Sequence, residues 1–445
     1  MYDPLHDTSP GVNAEYPQSY WAQYSGDAPE DDGQLIGENE ADVVIIGAGY
    51  TGLSCAYHLA SEHGIKPVVL EANQTAWGCS GRNAGFILNS SGRMSFTQMQ
   101  QKWGDSVMRG IYQEMQAGVE LVNQLIDSGI DCDKQPNGYI KIAHKASKMD
   151  ELVTLANIQQ QMFGQSIEVL SKQQLAQQYM DDKNAYGAIR YQNGFGLNPL
   201  KLAWGYQRLA RQSGAKVHTG STVLSIEEHG KGYKLHLPQG TVIAQKIVLA
   251  TNGYTPKGFH PLVTNRSLPV LSQIIVTEPL SKEQLEACNF LTSNVVMDTR
   301  ALKYYYRKLP DNRILFGGRG AITGKGAEDP YYANRLMSVL KSSFPALKPL
   351  NYQYAWAGWI CMSLDDIPHI YSNPDQNLFY SMGYCGAGVS FTAQAGKRLA
   401  EKVAEKNIPD LPIYGKPMPV FPFAPLRRVG QWGYFQYGKV KDKFF

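Results

Sequence analysis

Asp42-Val43-Val44-Ile45-Ile46-Gly47-Ala48-Gly49-Tyr50-Thr51-Gly52-Leu53-Ser54 runs into a helical stretch and then into Pro67-Val68-Val69-Leu70-Glu71. Val43–Ile46 is an unbroken apolar, β-branched run, as a parallel strand covered on both faces requires. Gly47 permits a tight turn out of that strand. Gly49 has no side chain to hold a pyrophosphate off the backbone, and Gly52 lets the next helix lie close to the sheet. That helix, roughly Thr51 to Glu62, aims its unpaired N–H groups at the phosphates, with Tyr50 and Thr51 counted among the expected cofactor residues. Glu71 and Ala72 end the second strand, Val68–Leu70, where a carboxylate can accept hydrogen bonds from a ribose diol. An arginine there would suggest a 2′-phosphate, and none is present. The spacing predicts a dinucleotide cradle. A ligand-free strand-to-helix turn would leave Glu71 unexplained.

Two features favour FAD over NAD. The fingerprint lies near the start of a long chain. A second glycine-rich polar loop, Gly78-Cys79-Ser80-Gly81-Arg82-Asn83-Ala84-Gly85-Phe86, follows the acid closely. Such a loop can pass along the pyrophosphate, and Arg82 offers a planar cation for a phosphate or flavin oxygen. Val223, Thr251, Asn252 and Gly253 join Ser80, Gly81, Asn83 and Ala84 in the expected cofactor set. Gly386-Ala387-Gly388-Val389-Ser390, with Gly383 before it, opens a late helix. There small residues let the backbone approach the flavin, and the helix N-terminus can stabilise negative charge on it. A plain helix-opening turn is the alternative.

The bulk properties exclude several classes. A chain of 445 residues with 43% apolar content suits two intertwined domains better than one. A net charge of +3 with dispersed basic residues argues against nucleic-acid binding. The six cysteines show no CxxC pair, so neither a metal site nor a redox dithiol is indicated, and reduced thiols in a cytoplasmic protein are expected. The polar, acidic start has no secretory signal pattern, and no stretch is apolar enough to span a membrane. Tyr20-Trp21-Ala22-Gln23-Tyr24 is expected to pack an N-terminal arm onto the body.

The spacing predicts helices over 95–127, 145–161, 171–179, 199–210, 331–344 and 390–405. Strands are expected at 138–143, 187–191, 216–219, 223–228, 233–237, 241–244, 246–250, 271–279, 304–307, 314–317 and 378–382. The fold class is α/β: a discontinuous Rossmann-type domain (38–90, 195–255 and 363–415) and a β-rich substrate domain with inserted helices (91–194 and 256–362). An arm (1–37) and a tail (416–445) complete it. Ligands are expected in the crevice at the carboxyl ends of the parallel strands.

The fingerprint, the Ser80-Gly81-Arg82-Asn83-Ala84-Gly85 loop, Ala250-Thr251-Asn252-Gly253-Tyr254 and Gly383–Lys397, in that order, resemble the amine- and amino-acid-oxidising flavoproteins of the D-amino acid oxidase superfamily, which includes sarcosine and glycine oxidases. Tyr304-Tyr305-Tyr306-Arg307 and the hairpin through Arg319 are similar to the branch containing gamma-glutamylputrescine oxidoreductase. The resemblance implies hydride transfer from the carbon beside an amine to flavin N5, then hydrolysis of the imine, with oxygen or another acceptor taking the electrons. The substrate would be a small amine or amino acid, of the secondary-amine or gamma-glutamyl-polyamine type. A pipecolate- or sarcosine-like amino acid is the alternative.

Arg319 at a strand end can hold a carboxylate bidentately. Tyr305 and Arg307 share a strand face that can line the pocket. By analogy with sarcosine oxidase, Cys361 is a candidate for a thioether to the flavin; the narrower branch generally binds FAD noncovalently. Sarcosine oxidases also place a lysine by the flavin to aid oxygen, and Arg313–Phe316 offers none, so either another cation such as Arg319 or Lys325 serves, or the electrons leave to a quinone or a carrier protein. His369 has no evident partner and is assigned no role. The tail, rich in Lys, Arg and aromatics, is expected to pack across the body, with peripheral membrane contact as the alternative. Two rival classes are an NAD-linked dehydrogenase and a non-catalytic flavoprotein that matures another protein.

Overall fold

The computed structural model describes residues 1–444. The β-branched run becomes the inner half of a ten-residue strand, Gly37–Ile46, in an eight-stranded sheet. It pairs in parallel with Gly240–Leu249 on one side and Val68–Leu70 on the other. Lys216–His218 lies parallel beyond Val68–Leu70, and Leu378–Met382 lies parallel to Gly240–Leu249. His369–Asn373 closes the edge antiparallel. The outer half of Gly240–Leu249 instead takes the hairpin partner Gly232–Leu237. The two short strands expected at 241–244 and 246–250 are thus one strand.

The second sheet is mostly antiparallel. Its order is Tyr352–Met362, Leu268–Thr277, Ile314–Arg319, Tyr305–Lys308, Val295–Asp298, Tyr139–Ile142, Gly187–Tyr191 and Ile167–Ser171. Alternation along the strands sorts its faces. Ile140, Val296, Tyr306, Phe316 and Ile275 enter one core with Leu336 and Leu340 of the helix Pro330–Ser343. On the other face Ile274, Leu315 and Trp356 join the core of the helices beside the first sheet. The two sheets therefore share a core along their facing sides.

Local signals set most helix ends. Asn198 accepts from Leu200 and Lys201 N–H ahead of Pro199, so the helix Pro199–Gln212 starts as expected. Ser95 with Gln98 and Ser171 with Gln174 form capping boxes. The single helix expected over 95–127 is broken at Gly104 (φ +84°) into Phe96–Trp103 and Asp105–Asp127. The eleven-residue strand Tyr352–Met362, the strand Val295–Asp298 and the edge strand His369–Asn373 were not expected. Tyr352–Met362 is buried along most of its inner half on both faces, so it shows no polar alternation. His369 does have partners, Asp365 at 2.9 Å and the Lys416 carbonyl. The arm packs as expected: Trp21 is buried and its Nε1 donates to the Asn83 carbonyl. Among the described residues, no helix is long and apolar enough to cross a membrane.

One buried network ties the helices together. Glu114, on Asp105–Asp127, accepts from Arg398 Nε and Nη2 at 2.9 and 2.7 Å, from Gln394 Nε2 and from the Tyr414 hydroxyl. Burial pushes the Glu114 carboxyl up, but the hydrogen bonds from Arg398, Tyr414 and Gln394 outweigh it and hold it below the usual range. Glu114→Ala leaves Arg398 buried without its main acceptor, so an unfolding free energy about 3–5 kcal/mol lower is expected by urea titration. In the intact protein the folded value lies below the unfolded one. This contribution is therefore full above about pH 4.3, the unfolded value. It is lost as pH falls through the folded value. Glu114→Gln should flatten that part of the stability–pH curve.

Candidate active site and cofactor cleft

A cleft enclosing about 870 Å³, open mouth included, lies at the carboxyl ends of Gly37–Ile46 and Val68–Leu70. Ten of the expected cofactor residues line it: Gly47, Gly49, Tyr50, Thr51, Glu71, Ala72, Ser80, Val223, Thr251 and Asn252. Gly47 takes φ +109°, and an added Cβ would stand 3.0 Å from the Ala250 carbonyl oxygen. At Gly52 the clash is decisive. A Cβ there would lie 2.0 Å from the Gly47 oxygen and 3.2 Å from Ile45 Cγ2. Only glycine lets the helix Tyr50–His63 start this close to the strand, with its N–H groups at the cleft.

Glu71 is held for hydrogen bonding by the main chain. Its oxygens accept from Ala48 N at 2.7 Å and Asn73 N at 3.1 Å. Burial raises its pKa, and the N–H bonds from Ala48, Asn73 and Ala72 partly offset this. The Ser80 hydroxyl accepts from Tyr50 N at 3.0 Å and keeps its own proton to donate. At the inner end, Thr392 Oγ1 is buried with no partner among the described residues, and Thr392 lines the cleft. A buried hydroxyl without a partner is costly, so a polar group of a bound ligand fits there. Phosphate-accessible N–H groups, a carboxylate for a ribose and a free hydroxyl within are the groups FAD requires.

The Gly383–Ser390 segment borders this inner end through Tyr384, which lines the cleft, rather than through its glycines. Tyr384 bonds Thr51 at 2.7 Å and Ser381 at 2.6 Å. Gly386 (φ +96°) faces open space, since an added Cβ would meet nothing within 4 Å. Gly388 begins the helix Gly388–Val403, capped by Ala387; Val389 is half-buried, and Ser390 donates to the Leu88 carbonyl. Two non-glycine residues here sit in left-handed conformations, Asn252 (φ +43°) and Cys385 (φ +51°). Gly383 N donates to Asn252 Oδ1, and Cys385 N to the Cys361 carbonyl. Strain of about 1–3 kcal/mol per such residue is thus held by one bond between the two turns and one to the strand Tyr352–Met362.

Other expected residues stand behind the cleft. Gly81 packs on the Ala76 carbonyl and Gly253 on the Trp359 carbonyl. Asn83 is bound within its own turn, to the Cys79 and Ser80 carbonyls and Gly85 N. Arg82 corrects the expectation of a phosphate or flavin ligand. It is buried, donates to the Trp77 and Ala357 carbonyls and stacks 4.5 Å over Trp77, so it braces the loop against the second sheet. Arg307 is corrected likewise. Its guanidinium donates to the Ala84 and Leu197 carbonyls and to Gln135, at 1% exposure, which leaves it a strut rather than a substrate ligand. Cys361 is buried in Tyr352–Met362 and outside the cleft lining, and burial pushes its thiol up. Sequence reasoning missed Trp77, Tyr254 and Thr392 as lining residues. Thr392, one helical turn after Gly388, was the one with a signal: the spacing puts both on one face.

Tyr305 and Arg319 lie on the face of the second sheet that carries Ile274 and Leu315, and neither is among the residues that line the cleft. Tyr305 pairs across from Gly317, whose missing side chain makes room for the ring, and bonds Ser272 Oγ at 2.6 Å. Burial pushes its phenol up to about 12. The same register brings Met297 opposite Tyr305 and Lys141 beside Met297. Arg319, two residues beyond Gly317, shares that face.

Residues 42–402 match the family model described as FAD dependent oxidoreductase (DAO). The chain belongs to this family. It is therefore an FAD-dependent oxidoreductase. It is 33% identical over 412 residues to gamma-glutamylputrescine oxidoreductase of Escherichia coli K12, covering 90% of this chain and 94% of that one. Sarcosine oxidase subunit beta of Rhizobium meliloti is 25% identical over 382 residues, with 82% and 84% covered. Glycine oxidase of Bacillus cereus superposes with a TM-score of 0.67 at 18% identity, covering 83% of this chain and 96% of that one.

Glu71→Gln keeps the shape but removes a charged acceptor. The charge-assisted bond is worth about 1.5–3 kcal/mol, so FAD should bind the apoprotein roughly ten- to hundredfold more weakly, measured by quenching of flavin fluorescence.

Proposed function

We propose that the protein oxidises a C–N bond in a small amine that carries at least one carboxylate, of the gamma-glutamyl-polyamine type. Bound FAD supplies the electron sink for that oxidation. Gly47, Gly49, Thr51, Glu71 and Ser80 would hold its nucleotide end. The Gly383–Ser390 segment would meet the isoalloxazine. The chain's own part is then to place the substrate's C–H bond and keep water out, and such positioning can lower a barrier by about 7–11 kcal/mol in favourable cases.

One observation carries the carboxylate. Lys141, Lys303 and Arg319 make no ion pair or side-chain hydrogen bond among the described residues, yet they feel one another. Lys141 is pulled down to about 8 by burial and then by Lys303, with Glu151 opposing. Lys303 is lowered by desolvation, then by Arg319 and Arg93, with Asp298 opposing. Arg319 is lowered by burial and by Arg93, with Tyr305 opposing. Of these four cations only Arg93 has an ion-paired acid among the described residues, Asp366 at 2.9 Å. Cations set side by side repel and destabilise the empty site, and an anion relieves that repulsion. The row lies beside Tyr305, whose hydroxyl can orient the same ligand. The full-length likeness to gamma-glutamylputrescine oxidoreductase supports this reading, since a gamma-glutamyl group carries a free carboxylate.

A pipecolate- or sarcosine-like substrate carries its carboxylate on a carbon bonded to the reacting nitrogen, whereas a gamma-glutamyl amine carries it many bonds away, where a row of separate cations has something to hold. The non-catalytic flavoprotein reading leaves the whole cation row unexplained. FAD held without a thioether is the reading that the buried, protonated Cys361 supports.

Anaerobic addition of gamma-glutamyl amines should bleach the flavin band, whereas unsubstituted alkyl amines should do so poorly. No bleaching by any amine sinks the proposal. Arg319→Met should raise KM at least tenfold with a smaller effect on kcat. Glutarate, which does not titrate between pH 6 and 10, isolates Lys141. Its inhibition constant should rise as pH passes about 8, where Lys141 loses its proton, and Lys141→Met should remove that step. Acid precipitation should leave the yellow colour in the supernatant; colour in the pellet would establish a covalent link.

A further inference from the structure

The C-terminal helix Arg427–Phe444 is anchored by one face and bare on the other. Gln431, Phe435 and Gly438 are buried. Phe435 packs with Val270, Met362 and Cys385, and Gly438 admits Leu302. Asp442 turns inward and accepts from Ala301 and Leu302 N–H. Arg428 bonds the Pro269 carbonyl and Asp3, and Arg427 the Ser267 carbonyl. These contacts fix the helix without help from its outer side.

At about 100° per residue, Val429, Trp432, Tyr437, Val440 and Phe444 fall on one outward arc. All are exposed, from 51% at Val440 to 66% at Phe444. Phe423, 81% exposed, and Leu426 extend the apolar surface past the helix start. A contiguous apolar patch of this kind is uncommon on a monomer's surface. Its charges are of one sign. By the same angles Lys439 flanks the arc on one side, Lys441 on the other, and Lys443 stands within it. None of the three has an acidic partner among the described residues, and the helix's single acid, Asp442, faces away.

We propose that this helix docks the protein onto an anionic lipid surface, with the apolar arc sunk among the acyl chains and the three lysines at the headgroups. The charge pattern decides for lipid over a second copy of the chain. A two-fold interface brings the same patch against itself, so Lys439, Lys441 and Lys443 would face their own counterparts with no acid between them. An anionic bilayer supplies the missing negative charge, and lysine stems can snorkel from an apolar bed to it. Docking there would turn the Arg93 side of the molecule toward the membrane, because Tyr434 of this helix touches Arg93.

The test is flotation of the full-length holoprotein with two vesicle types, phosphatidylcholine alone and phosphatidylcholine mixed with phosphatidylglycerol. Binding to the mixed vesicles alone, weakening with salt, is expected. Val440→Glu with Phe444→Glu should abolish it, and so should a variant with Lys439, Lys441 and Lys443 all changed to Glu. Both variants should keep the flavin spectrum and turnover of the parent, since the altered side chains are exposed. Failure to float with the mixed vesicles overturns the proposal, as does flotation that neither variant reduces. A concentration-dependent dimer in sedimentation, lost in the Val440/Phe444 variant and seen without flotation, would assign the face to a second copy instead.

Discussion

The contact between Gly52 and the Gly47 carbonyl sets the rest of the molecule in place. Because no Cβ stands between them, the first turn of the helix Tyr50–His63 lies directly on the end of the strand Gly37–Ile46. That brings the helix's unpaired N–H groups to the cleft floor. It also lets the next layer close in, since Gly396 of Gly388–Val403 crosses the first helix where an added Cβ would stand 2.6 Å from Ser54 Cβ. The helix that opens at the proposed flavin loop is therefore located by two glycine contacts in series, both starting from the strand that carries the fingerprint.

The molecule treats its charges in two opposite ways. Around Glu114, every neighbouring donor is turned to one carboxylate, and the result is a brace among helices whose buried charges compensate one another. Arg82 and Arg307 are handled similarly, each satisfied by main-chain carbonyls. Lys141, Lys303 and Arg319 are not. None of the three has an ion-paired acid among the described residues, and neutral polar groups in the same positions would cost less. The distinction between satisfied and unsatisfied cations sets the struts Arg82 and Arg307 apart from the three cations proposed to meet a ligand, where residue type alone does not.

How much was legible in the sequence follows from where the relevant information resides. The nucleotide strand, its glycine turn and Glu71 were readable because their constraints are local: a covered strand must be apolar, and a close approach must be glycine. Asn198-Pro199, Ser95 with Gln98, and Ser171 with Gln174 announced their helices for the same reason. Tyr352–Met362 was not readable as a strand, since it is packed on both faces and mixes Trp, Gly and Cys without alternation. The roles expected of Arg82 and Arg307 failed for a further reason. A guanidinium on a glycine-rich loop or a pocket strand looks the same in sequence whether it meets a ligand or a carbonyl from a segment more than a hundred residues away, such as Leu197 or Ala357.

The strand Tyr305–Lys308 shows how tightly core and site are coupled. Tyr306 is buried among Phe316, Phe290 and Phe344 and bonds Asp182, while its neighbour Tyr305 points to the opposite face, over Gly317. Side chains alternate with a period of two, so a one-residue slip would exchange them and put Tyr305 on the side of Phe316 and Phe344. Tyr306 prevents that slip: its hydroxyl has one buried acceptor, Asp182, and its ring one aromatic box. The packing that stabilises the second sheet thereby fixes which tyrosine turns toward the core shared with the first sheet. The same register carries Lys141 and Arg319 onto that face, so the cation row is held by the core beneath it, without any ion pair of its own.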